Sequence, residues 1–337
     1  MKVTLEDVAL ASGVSKATAS YVINNKKSSF GLSPQTVRRV LQESQRLNYR
    51  PDLIAQALAE QKRAPLSIMI LSPWLHSQFS DFMVQVSHAV ESASLEMKIH
   101  ADYKLYKCGD LKRTLRPMKC SKYDAVIVLG TNLVDDAFLE KKRGEYTNVI
   151  LLNRMKEGYA SSCGNDDVMC ATLAKRLIAG DYYKKYVLSV SGTASHRERL
   201  RTDSYRKILA KVGKDHFCEH LDAVPDAPEN DQLRLLFEQY GSNKVCYIFT
   251  QYFPAARLMN YAINAGLKVP EEVGIVGYDQ HSLLKDFLNP QLTTIDPGVF
   301  EMTRQALAMA RMMKKGQSPA NMITEAVLVG GGSAILG

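Results

Sequence analysis

Apolar residues recur at helical spacing in two short runs near the start of the chain. Leu5, Val8 and Ala9 share one face of the first run. Val14, Thr18, Val22 and Ile23 share the inward face of the second, leaving Lys16, Ala17, Ser20, Tyr21 and Asn24 on the outward one. Ser12-Gly13-Val14 interrupts the period, and Gly13 supplies the backbone freedom that a sharp turn needs. Thr4 and Asp7 have the spacing of a capping box, and Ser15 stands where a second helix is capped, so the pattern predicts two short helices around a tight elbow. Ser33-Pro34 then opens a third helix with the apolar stripe Val37, Val40, Leu41 and Leu47, stopped at Asn48. Beyond Tyr49-Arg50-Pro51, Asp52 caps a short helical stretch from Leu53 to Ala59.

From Leu66 the pattern changes to short β-branched or apolar runs separated by helical stretches. Strands are predicted at 67–71, 99–105, 125–129, 148–152, 186–190, 244–249 and 273–276, and helices at 79–95, 168–179, 198–212, 232–239, 255–265 and 300–315. Alternation of this kind predicts an α/β fold, with parallel sheets covered on both faces by helices, behind an all-α head.

Charge sharpens this division. The net charge is +8, and between Met1 and Arg63 ten Lys or Arg face five Asp or Glu, so the head holds +5 and the longer remainder only +3. That asymmetry is the electrostatic footprint of a nucleic-acid binder, although a basic segment alone is equally a solvated face. A length of 337 residues suits two or three compact units. No apolar run approaches a membrane span and the N-terminus opens directly into the first helix, which predicts a cytoplasmic protein with neither signal peptide nor membrane anchor. The six cysteines are scattered without a C-x-x-C pair and read as reduced packing residues.

The outward row of the second helix, with its ammonium, methyl, hydroxyls and phenol, suits base edges in a DNA major groove. Here the chain resembles the lactose-repressor (LacI/GalR) family of bacterial transcription regulators. The pattern D-V-A-x-x-S/A-G-V-S-x-x-T-x-S-x-V-x-N is met by Asp7, Val8, Ala9, Ser12, Gly13, Val14, Ser15, Thr18, Ser20, Val22 and Asn24. Tyr21 departs from it, standing where the family usually has Arg. The resemblance continues through Asp124 to Leu129, Val149 to Arg154, Asn165-Asp166, Arg201 to Arg206, Gly266 to Asp279 and Pro290 to Ile295. It implies a helix-turn-helix head at 1–50, a hinge helix and linker at 51–65, and an effector-binding, dimerising core at 66–337. That core is two doubly wound subdomains of periplasmic-binding-protein type, about 66–155 plus 291–318 and 156–290 plus 319–337.

By the same resemblance the partners are double-stranded operator DNA, a second copy of the chain and a small-molecule effector. The implied DNA contacts are Thr4, Leu5, Ser15, Lys16, Ala17, Thr18, Ser20, Tyr21, Asn24, Thr36 and Tyr49, with Lys26 and Lys27 on phosphates. At the operator centre Leu58 wedges a base step and Ala55 lies against the sugars. Asp52 stands where Asn is usual. Residues following strands are effector candidates, here Asp279 and the pair Gln251 and Tyr252, which replaces the usual Asn-Asp; the resemblance adds Arg201 at the family's effector arginine, Asp166 where Asp-Asn is usual, and Phe79 near the first cleft loop. A sugar-like effector is the first expectation, with a nucleoside or purine, a co-repressor, or a lost small-molecule response as alternatives.

His216, Cys218 and His220 would share one face of a strand and carry donors that suit zinc, but no fourth ligand is evident, so an edge strand with incidental residues is expected and no metal. Ser195 and His196 are adjacent, yet no G-x-S-x-G elbow, phosphate loop or dinucleotide fingerprint accompanies them, and neither an enzyme nor a cofactor is expected.

Overall fold

The computed structural model describes residues 4–23, 32–47, 49, 65–73, 80–117, 123–191, 195–213, 215–222, 229–281 and 284–337, and the chain divides into two compact units, Met1–Pro65 and Leu66–Gly337. The hinge stretch expected at Leu53 to Ala59 lies outside the described residues, as do Asn24, Lys26, Lys27, Ala55, Leu58 and Phe79.

In the first unit, α1 (Leu5–Ser12), α2 (Lys16–Ile23) and α3 (Pro34–Arg46) close around Val8, Ala9, Ala19, Val22 and Val40. The capping box at Thr4 and Asp7 is formed on both sides. Gly13 ends α1 in the left-handed region at φ 61°, ψ 38°, a conformation that costs any residue with a Cβ. The caps of α2 and α3 are the Ser15 and Ser33 hydroxyls, which accept from the Thr18 and Thr36 amides at 3.1 and 3.2 Å. Two expectations change. Leu41 is 44% exposed and lies off the core stripe. Ala19 enters the core where Thr18 was expected, because the Thr18 hydroxyl pairs with Ser15 Oγ at 2.8 Å.

The second unit has two halves. One carries a six-stranded parallel sheet, in the order β11-β5-β4-β3-β1-β2, from β1 (Leu66–Ser72), β2 (Ile99–Leu105), β3 (Ala125–Val128), β4 (Val149–Leu152), β5 (Ala160–Gly164) and β11 (Met322–Thr324). Side chains alternate across it: Ile68, Ile70, Ile127 and Ile150 pack under α4 (Ser80–Glu96) and α11 (Val299–Lys314). Met69, Leu71, Val126, Val128 and Leu151 pack against α5 (Leu111–Leu115) and α6 (Leu133–Lys141). Burial on both faces explains the unbroken apolar runs of these strands.

The other half has a four-stranded parallel sheet, β7-β6-β8-β9, from β6 (Lys185–Ser191), β7 (Phe217–Asp222), β8 (Val245–Phe249) and β9 (Val273–Val276). It lies between α7 (Asp166–Ala179) with α8 (His196–Leu209) and α9 (Glu229–Tyr240) with α10 (Tyr252–Asn264). The short antiparallel pair β10 (Thr294–Asp296) and β12 (Val327–Val329) joins this half, through a bridge from Thr293 to Val276. As expected β7 is an edge strand, where His216 Nδ1 lies 2.9 Å from the Lys184 carbonyl and His220 Nδ1 3.3 Å from the Tyr240 hydroxyl.

Sheet membership places the crossings near 165, 297 and 325. The expected limits were 155, 290 and 318; β5 and β11 extend the first half past two of them, and β10 pairs within the second half. The three crossings meet. Asn165 N–H donates to the Thr324 carbonyl at 3.2 Å, and its side chain accepts the Ala326 N–H at 2.7 Å. A Cβ on Gly164 would stand 3.3 Å from the Pro297 carbonyl, and one on Gly298 2.8 Å from the Thr324 methyl.

Candidate functional site

Two places gather the chemistry. On the head, Ser15, Lys16 and Ala17 are exposed at the start of α2, with Thr18, Ser20 and Tyr21 half-buried behind them. Lys16 pairs with Glu6 at 2.9 Å while both stay open to solvent. Such a pair contributes little to folding and is exchangeable for a phosphate. Tyr21 was expected on the outward face, but its ring packs partly on the head core, because it neighbours the buried Val22 at the edge of the inward face. Tyr49 packs on the same core and Thr36 is half-buried in the first turn of α3.

In the body an open cleft of ≈ 480 Å³ is lined by Asp81, Phe82 and Gln85 of α4, Gln251, Tyr252 and Phe253 at the start of α10, Asp279 to His281 after β9, and Pro297 with Val299 at a crossing. Every one of these segments follows a strand or a crossing, where open α/β sheets place their ligands. Of the six expected effector residues, the structure brings Gln251, Tyr252 and Asp279 to the cleft wall.

Asp166 and Arg201 lie elsewhere: they are buried behind that wall, where Arg201 Nε donates to Asp166 at 2.9 Å and its Nη1 to the Thr250 carbonyl at 3.1 Å. The guanidinium carbon stands 3.4 Å from the centre of the Tyr278 ring. Arg197 closes the other side of Asp166 at 2.5 Å and donates to the Gly164 carbonyl. Burial opposes ionisation of Asp166, but Arg201 and Arg197 outweigh it and hold the carboxyl below its ordinary range. Arg201 is thus a support for the wall, with Asp279 as the group it faces through space. Burial pushes Asp279 up to about 6, against the opposing pull of Arg201. Asp279 also takes φ 70°, held by its N–H to the Ile295 carbonyl at 2.9 Å and by the Thr294 hydroxyl on its own carbonyl at 2.6 Å.

Several groups were missed by sequence reasoning. Asp81 and Gln85 bond each other one turn apart at 3.1 Å, and their position just after the first strand was the available signal. Phe253 and His281 form an aromatic corner at 5.4 Å, and His281 Nδ1 lies 3.8 Å from Asp81. In the first half, buried Arg154 and Asp136 pair, and the Thr131 hydroxyl donates to Asp136 at 2.9 Å. His196 beside them is lowered to about 4 by burial and by the Arg154 charge, so it is neutral at neutral pH. No group of three or more His, Cys, Asp or Glu among the described residues is arranged to hold a metal ion.

This combination defines a class, a helix-turn-helix head on a periplasmic-binding-protein-like body. Residues 4–52 match the signature described as "Bacterial regulatory proteins, lacI family" and residues 192–334 that of a "Periplasmic binding protein-like domain". The chain carries a LacI-family DNA-binding domain and a periplasmic-binding-protein-like domain, and its relatives are LacI/GalR-family transcriptional regulators. It is 25% identical to the regulator pepR1 of Lactobacillus delbrueckii subsp. lactis over 94% of this chain and 92% of that one. It is 27% identical to the sucrose operon repressor of Escherichia coli, over 87% and 88%. Its fold is similar to that of the lac repressor dimer bound to operator and an anti-inducer, with a TM-score of 0.66 at 20% identity and 99% of both chains covered. It is also similar to the regulator CelR in complex with cellobiose, at 0.64, 18%, 98% and 100%. These relatives are named as regulators, a class apart from enzymes, and no helix among the described residues is long and apolar enough to cross a membrane.

Proposed function

We propose that the protein is a cytoplasmic repressor that binds a pseudo-palindromic operator as a homodimer and changes its operator affinity when a small molecule occupies the cleft. The observation that carries this is the capped, Gly13-turned helix pair presenting Ser15, Lys16 and Ala17 to solvent, in a chain whose residues 4–52 match the lacI signature. In this reading the row from Ser15 to Tyr21 with Asn24 reads bases. Thr4, Leu5, Thr36, Tyr49, Lys26 and Lys27 hold the backbone, and Ala55 and Leu58 act in the minor groove. Gln251, Tyr252, Asp279 and Phe79 touch the effector, with Arg201 and Asp166 supporting. A sugar-like effector is supported by the similarity to a sucrose operon repressor and to a cellobiose-bound regulator. A second copy is supported by apolar side chains left open at Tyr103 and Leu105 on edge strand β2 and at Phe287, which is 82% exposed.

Footprinting on DNA upstream of the regulated gene tests this. Two protected half-sites about one helical turn apart are expected; protection of one unsymmetrical half-site would sink the dimer. Tyr21→Ala should relax preference at particular base pairs by about 1–3 kcal/mol. Loss of Lys26 and Lys27 should weaken all sequences alike and lower the salt slope by about one unit per phosphate contact.

A further inference from the structure

The chain is basic as a whole, with a net charge of +8, yet the groups in and directly behind the cleft lean the other way. Among the described residues Asp81 and Asp279 line it, Glu198 bonds Gln251 from behind, and Asp166 lies deeper; against these four carboxyl groups stand the guanidinium groups of Arg197 and Arg201, both bound to Asp166.

The remaining wall is ring-lined. Phe82, Tyr252, Phe253 and His281 face the cleft, with Tyr252 and His281 centroids 6.0 Å apart. Tyr252 is only 5% exposed and its hydroxyl finds no hydrogen-bond partner among the described residues. A buried hydroxyl left without a partner carries a desolvation cost that a ligand group would remove. Negative excess, aromatic faces and an orphaned phenol together select a ligand with a positive nitrogen and a flat or ring-shaped apolar face. A phosphate or carboxylate on the ligand would instead add to the negative excess.

We propose that the cleft takes a ring-borne organic cation, with its ammonium directed to Asp279 and Asp81, its ring face against Tyr252 and Phe253, and a polar substituent on the Tyr252 hydroxyl. This rests on the cleft being the effector site and narrows the class of effector it accepts. The source of the ring, sugar or aromatic, is separated by the probes.

Full-length protein is titrated with glucosamine and with tyramine, each beside its uncharged counterpart, glucose and 4-ethylphenol, and beside glucuronate as an anion. Binding is read by calorimetry and by thermal unfolding. At least one amine should raise Tm by about 2–4 °C or more and bind at least tenfold more tightly than its uncharged counterpart. Asp279→Asn should weaken that amine at least tenfold, and Asp81→Asn should do so if the first variant folds poorly. Glucose, 4-ethylphenol or glucuronate binding as tightly as the amines overturns the proposal. So does failure of both amines to bind, or an amine indifferent to both substitutions. An amine that binds by these criteria yet leaves operator affinity unchanged would instead overturn the effector reading on which the proposal rests.

Discussion

Among the described residues of the head the buried apolar side chains are Val8, Ala9, Ala19, Val22 and Val40, all of them small. In the body four clusters are built on Ile, Leu, Met and Tyr, and they enclose an ionic group, Arg197–Asp166–Arg201, of which Asp166 is wholly buried. Small side chains bury little apolar surface, so the head draws a larger share of its stability from backbone geometry and caps at Thr4, Gly13, Ser15 and Ser33. The body has a core large enough to carry charges out of water, provided they stay paired. Local sequence governs one unit and long-range pairing the other.

The largest departure should come from Asp166→Ala, which leaves two guanidinium groups buried together. A loss of about 3–5 kcal/mol is expected in the denaturant unfolding of the body; a loss below about 1 kcal/mol would show that the network is not structural. Next is Asp279→Asn. A carboxyl raised from 3.8 to about 6 favours the folded state below pH 4, and that contribution disappears as pH rises through about 6. The Asn variant should therefore gain on the wild type between pH 4 and 7, by up to about 3 kcal/mol. Equal pH profiles would contradict the raised value.

In the head, Gly13→Ala has open space around it, so only the left-handed backbone is taxed, at about 1–2 kcal/mol. Thr4→Ala removes one side of the capping box and should cost about 1 kcal/mol. Both are read by thermal unfolding of the head, followed by proton NMR in the full chain. The head should also answer pH in the opposite sense. Asp7 is held below its ordinary value by the Thr4 amide and hydroxyl. Its contribution is therefore present above about pH 4 and is lost on acidification. A head that grew more stable from pH 5 to 3 would break the contrast.

That contrast also governs what the sequence reveals. Helix caps and the Gly13 turn are local, and α1 to α3 are legible within a residue or so. Strands with unbroken aliphatic runs are legible too. Strand β5, Ala-Ser-Ser-Cys-Gly, carries no β-branched residue and is a strand because β4 and β11 pair with it. Helix α6 hides behind Asp135 and Asp136, whose charges are consumed by the Gly109 and Leu111 amides and by Arg154. At the cleft, Gln251, Tyr252 and Asp279 are legible because they directly follow strands. The retreat of Arg201 behind the wall depends on Asp166, 35 residues away, and on the Tyr278 ring. The meeting of Asp81 with His281 depends on bringing α4 to the loop after β9, which no spacing encodes.

Three crossings tied at one spot, through Asn165, Gly298 and Thr324, give the two halves of the body a single post to turn on. Sliding or parting them would tear the hydrogen bonds of Asn165, whereas rotation bends only a few backbone torsions. Shape change then reduces to one angle. Paired spin labels placed at different points across the halves should change distance in proportion when the cleft is filled, and independent changes would refute a common axis. With one coordinate available, a ligand's chemistry is forgotten once it is bound: whatever its groups, it can transmit only how far the halves have turned, and in which direction.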